Sequence, residues 1–140
     1  MFEFKVTMFN LDKPNQNGYI FTKEAIDNVV DQLQDYSVPV RLYEEYTDFD
    51  FRQLIGRASV EKYNYPQISF NGQIVDDAFK SLFAQNKVQL TLQGSAQFDG
   101  ISVISLRFKG LSAVEYSGQV STIEVKENEN DTWNIEPRND

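Results

Sequence analysis

The first residues alternate strictly: Phe2, Phe4, Val6 and Met8 are apolar, and Glu3, Lys5 and Thr7 between them are polar. A period of two sends successive side chains to opposite sides of an extended backbone. The pattern therefore predicts a strand with one face in a core and the other in water. The same alternation returns at Val88, Leu90 and Leu92 against Gln89, Thr91 and Gln93. Apolar runs of strand length also lie at Leu54–Tyr63, Gln67–Val75, Ile101–Phe108, Leu111–Tyr116 and Val120–Val125, with Val38-Pro39-Val40 as a short extended piece. Turn chemistry separates them: Asn17-Gly18 in the loop Asn10–Gly18, Tyr65-Pro66, the hairpin signal Asp99-Gly100, and a break at Gly110.

The helical period occurs in two places. Ile26, Val29, Val30 and Leu33 recur at i, i+3, i+4 and i+7, behind Thr22 as N-cap and Glu24 in the first turn. Ala78, Phe79, Leu82 and Phe83 form a second apolar face behind a cap at Asp76 or Asp77. Many strands and two helices in this order predict an α+β domain: a mostly antiparallel sheet or partial barrel with two packed helices. Residues 1–126 form one domain, and residues 127–140 a polar C-terminal tail whose one residue of buried type is Trp133.

Composition narrows the chemistry. The chain of 140 residues has no His and no Cys. That removes the commonest general base, thiolate chemistry, disulfides and the usual transition-metal ligands, and no cofactor is expected. A net charge of −8 repels phosphate and anionic lipid, so neither nucleic acid nor a membrane is an expected partner. No apolar run reaches the roughly 18 residues of a spanning helix, and the N-terminus lacks a signal-peptide layout.

Three features bear on function. The segment Tyr43–Phe51 mixes Glu44, Glu45, Asp48 and Asp50 with Tyr43, Tyr46, Phe49 and Phe51. Its spacing lacks the central glycine of a calcium loop, and a solvated acidic loop is the preferred reading. Four large aromatics exceed what an idle loop needs, and such side chains anchor protein interfaces. Tyr43, Tyr46, Phe49, Phe51 and Trp133 are therefore the candidate interface residues. Thr91 is internal, so the N-terminal amine that activates some threonine nucleophiles is not available to it, and a strand threonine is expected. Lys87 and Lys109 would act as bases only if desolvated.

Several pieces in this order resemble the prohead proteases of tailed phages. Asn15-Gln16-Asn17-Gly18-Tyr19-Ile20-Phe21 before the first helix resembles their Asn-x-Asn-Gly loop. Leu54-Ile55-Gly56-Arg57-Ala58 resembles their Gly-x-Ala strand, Leu90-Thr91-Leu92-Gln93-Gly94 their nucleophile strand, and Leu111-Ser112-Ala113-Val114 a later Ser-x-Val piece. The resemblance spans residues 2–118 and departs where the chemistry lies. The family's histidine would fall near Val40–Tyr46, where none stands, and its serine position holds Thr91 or Leu92. It implies the fold without the acyl transfer. The expected role is an auxiliary, decoration or minor capsid protein that binds the major capsid protein or another virion protein. Its location would be the virion, and the host cytoplasm during assembly, with homo-oligomerisation possible. The alternatives are a divergent active maturation protease and a phage-encoded, host-directed binding protein.

Overall fold

The computed structural model describes residues 2–15, 18–33, 36–85, 87–115, 121–127 and 132–136, the last two segments by their backbone. The alternating start is β1 (Phe2–Met8), with Phe2, Phe4, Val6 and Met8 all buried. Such a strand needs partners on both edges. β5 (Gln67–Ile74) runs antiparallel on one and β8 (Ser121–Glu127) antiparallel on the other. On the polar face, Lys5 Nζ lies 3.5 Å from Glu61, and the Ser69 hydroxyl donates to Glu61 at 2.6 Å.

The sheet continues from β5 through β4 (Leu54–Asn64) and β3 (Val38–Leu42) to the long β7 (Ser102–Glu115). β6 (Val88–Asp99) pairs with β7 as a hairpin, with Asp99 opposite Ser102 and Gly100 at φ +62° in the turn. The sheet curls into a half-barrel, giving the α+β, mostly antiparallel architecture that the strand and helix periods imply.

Two parallel pairings interrupt the antiparallel rule. β2 (Ile20–Phe21) lies beside Ser102 and Val103 of β7, and β3 beside Leu111–Ala113 of the same strand. Because β6 occupies one edge of β7, β2 and β3 share the other, end to end. The helix α1 (Lys23–Leu33) bridges them and packs on β7 with Ala25, Ile26, Val29 and Leu33 buried. Thr22 caps it as expected, its hydroxyl accepting from Ala25 N at 3.2 Å and donating to Val103 O at 2.9 Å. Between β2 and β3, among the described residues, no strand pairs with this edge of β7. There the Gln32 amide donates to Leu106 O at 3.0 Å and accepts from Phe108 N at 3.3 Å. A helix side chain thus satisfies backbone groups that burial would otherwise leave unpaired.

The second helical segment is shorter than its pattern implies. The Asp76 carboxylate accepts from Ala78 N at 3.0 Å and caps a 3-10 turn, Asp77–Phe79, that leads into α2 (Lys80–Ala84). Of its apolar face, Phe83 is fully buried against the Phe4 ring at 4.9 Å, Phe79 and Leu82 are half-buried, and Ala78 is exposed.

Two readings of the sequence need correction. Gly110 does not break the chain into two strands. β7 runs through it, with register shifts against Gln93/Gly94 and Gln97/Phe98 that absorb the extra residues as bulges. Glycine serves there for close approach, since a Cβ would strike the Pro39 carbonyl oxygen. Nor is 127–140 only a tail: β9 (Thr132–Glu136) pairs antiparallel with β8 and extends the sheet. Asn17, Tyr116 and Val120 lie outside the described residues.

Candidate functional site

The acidic-aromatic segment is held by two arginines. Tyr43 N donates to Ala113 O at 2.8 Å, which fixes the start of the loop on β7. The Arg52 guanidinium lies 4.9 Å from the Tyr43 ring centre, donates through Nε to Thr47 O at 2.8 Å, and reaches Ser112 Oγ at 3.4 Å. Arg41 donates to Arg52 O at 2.9 Å and stands 5.7 Å from the Phe49 ring centre. Among the described residues its buried Nε has no hydrogen-bond partner.

This scaffold divides the four aromatics. Phe49 is 6% exposed and packs against Gly110, so it belongs to the core and cannot meet a partner. That corrects its assignment as an interface residue, and the reason is the 3-10 turn Phe49–Phe51, which directs Phe49 inward and Phe51 outward. Phe51 is 80% exposed and Tyr46 98%, while Tyr43 is partly covered by Arg52. Tyr46 also has φ +63°, a left-handed conformation unusual for a bulky side chain. Strain at a fully exposed aromatic is the kind of local cost that persists at functional positions. Glu44, Glu45 and Asp48 are exposed, and Asp50 pairs with Lys109 at 3.6 Å. The backbone of Trp133 lies in β9 opposite Lys126, and its side chain lies outside the described part.

A second feature was not anticipated. A groove of about 720 Å³ separates β6 from the end of β1 and the loop that follows it. Leu90 and Leu92 line it from the core face of β6, and Gln89, Thr91 and Gln93 from the opposite face. Residues from both faces border the same space, so the groove runs along the edge of the strand. Among the described residues β6 pairs with no strand other than β7. The facing wall comprises Met8, Phe9, Leu11, Lys13 and Pro14. Hydrogen bonds from Leu11 N to Pro66 O at 3.0 Å and from Phe21 N to Leu11 O at 3.0 Å hold it in place. Toward the hairpin tip, Tyr19 and Phe98 close the groove with ring centres 4.9 Å apart.

The lining has little reactive chemistry. Thr91 is half-buried opposite Ser112, and among the described residues Lys13 is the one charged residue on the wall. Among the described residues no carboxylate lines the groove to accept a proton from Thr91. Lys87 and Lys109 are exposed to solvent, not set in the apolar surroundings a lysine base needs. Among the described residues no three carboxylates converge as a metal site would require, and no helix is long and apolar enough to cross a membrane.

The groups with displaced titration lie elsewhere and brace the fold. Asp27 accepts from Lys23 Nζ at 2.9 Å and from the Tyr63 hydroxyl at 2.6 Å, and these bonds, that of Lys23 foremost, lower its pKa. Burial, then the hydrogen bond to Asp27, raises that of Tyr63. The Ser69 hydroxyl, with Lys5 assisting, lowers Glu61. Burial raises Tyr65, whose hydroxyl donates to Phe21 O at 2.6 Å.

The groove is a tertiary feature, since its walls come from segments some eighty positions apart (Met8–Pro14 and Gln89–Phe98). One signal for it was present: from Val88 to Phe98 no residue is charged. No family model, no curated protein and no solved structure matches this chain.

Proposed function

We propose that this chain is a non-catalytic, protein-binding component of a tailed-phage particle, an auxiliary or decoration protein that binds the major capsid protein or another virion protein. The observation that carries the binding reading is the groove: a largely apolar channel beside a strand edge, with one lysine and no acid–base pair among the described residues. Such an edge offers backbone donors and acceptors to an incoming segment, and apolar walls offer burial. A threonine hydrolase at Thr91 would need a base within hydrogen-bond reach, and the described lining residues supply none. The phage setting rests on the resemblance of residues 2–118 to prohead proteases and on the missing histidine and serine. Tyr46 and Phe51 supply a second contact, with Glu44, Glu45 and Asp48 as rim charges that favour a basic partner surface.

Two measurements test this. Mass spectrometry of purified particles should find the chain as a component. Incubation with the capsid protein should leave that protein intact, and Thr91→Ala should make no difference to that result. Absence from particles, or capsid processing that Thr91→Ala abolishes, would overturn the proposal.

A further inference from the structure

We infer that the groove receives an extended, uncharged segment of another protein as an added strand on β6, about six residues long, with apolar and neutral polar side chains alternating and a carboxylate placed to meet Lys13. This inference rests on the protein-binding reading above and specifies the chemistry of the partner.

The length follows from the register. Val88 to Gln93 pair regularly with Glu115 to Gly110, and the first shift falls at Gln93/Gly94. The extra residue there is Lys109 on β7, and its bulge twists the pair beyond Gln93, so about 20 Å of regular edge is available on β6, or six residues at about 3.3 Å each. The alternation follows from the walls. Side chains of an added strand point by turns to the Leu90 and Leu92 side and to the Gln89, Thr91 and Gln93 side. The first set meets apolar surface that includes Leu11, Phe21 and Leu106, and the second meets neutral polar groups.

The charge follows from what β6 lacks. Exposed edges are normally guarded by charges or proline against accidental pairing. In a chain with 34 charged residues (13 basic and 21 acidic), Val88–Phe98 has neither a charge nor a proline. A segment with charges along its length would lose hydration without gaining a partner. Lys13 is the exception. Its ammonium, like those of Lys62 and Lys87, forms no ion pair with the described residues, and of these three only Lys13 borders the groove. It therefore selects a single acidic group at the border of an otherwise neutral ligand.

The probe is an acetylated, C-terminally amidated heptapeptide of alternating threonine and valine ending in glutamate, titrated into the ¹⁵N-labelled full chain. Saturable amide shifts should centre on residues 89–93. A matching peptide ending in lysine should bind about threefold more weakly, and Lys13→Glu should reverse that order. N-methylation of one alternate set of peptide amides should weaken binding about tenfold, while methylation of the other set should not, because only alternate amides face β6. The inference is overturned by equal effects of the two methylated sets, by shifts centred on residues 43–51, by no saturable shift, or by a peptide-free dimer that protects the β6 amides. Those results would leave particle composition unaffected as evidence on the proposed function.

Discussion

Phe49 and Phe51 lie two positions apart in one 3-10 turn and face opposite surroundings. Phe49→Ser should destabilise the protein by about 3–5 kcal/mol, since it empties a buried aromatic site beneath Gly110. Phe51→Ser should leave the thermal midpoint unchanged and weaken only partner binding. Similar midpoints for the two variants would show that Phe49 is not packed as described. Tyr46 stands at φ +63° with its side chain in solvent. Tyr46→Gly should raise stability by about 1 kcal/mol, because glycine adopts that conformation without strain. The same change should lower particle incorporation if Tyr46 is a contact. Titration of the braces contributes to how stability varies with pH. Asp27 and Glu61 have lowered folded pKa values, so their contributions are present above the ordinary carboxylate range and lost as pH falls through it. Tyr63 has a raised folded pKa, so its contribution is present below the ordinary tyrosine value of 10.0 and lost as pH rises beyond it. Tyr63→Phe should therefore flatten the alkaline limb of a stability–pH profile; an unchanged limb would show that the phenol does not control it.

The elements differ in how they are secured. β6 depends on its core face, where Leu90 is 3% exposed. Leu90→Ala should cost about 2–5 kcal/mol, measured as a shift in the denaturant midpoint. An unchanged midpoint would place Leu90 in solvent and the strand in the wrong register. β7 depends partly on α1, because the Gln32 amide completes its edge between β2 and β3. Gln32→Ala should cost about 1–3 kcal/mol, more than loss of an exposed glutamine, because Leu106 O and Phe108 N would lose their partner. Hydrogen exchange at Phe108 should rise selectively; protection equal to that of the unmodified chain would show that water or backbone satisfies this edge. The strand alternation in β1 and β6, the Thr22 cap and the Asp99-Gly100 turn were all legible in the sequence, because each depends on near neighbours. The continuity of β7 through Gly110 was not, because the reason for that glycine is the Pro39 carbonyl oxygen, distant in sequence.

At the scale of the whole molecule, the half-barrel leaves two surfaces of different character. One is a polar, acidic rim bearing Tyr46 and Phe51, and the other a neutral groove along β6. β9 bears on any truncation. Removing residues after Lys126 would delete β9 and shorten β8, uncovering an edge of the sheet. That variant should aggregate more readily than the full chain in light scattering, and equal solubility would show that β9 does not guard the edge. The sequence by itself determined the fold class, the positions of most strands, the start of α1 and the cap at Asp76, though not where α2 begins. It also determined that histidine and thiol chemistry are excluded, because periodicity, capping and residue inventory are local properties. Only the tertiary structure decided which aromatics of residues 43–51 are core and which are surface, and that Gln32 serves a strand. It also decided that, among the described residues, β6 pairs on one edge alone and lies beside an apolar wall. Each of those depends on contacts between segments far apart in the chain, and burial and edge pairing exist only once the sheet has curled.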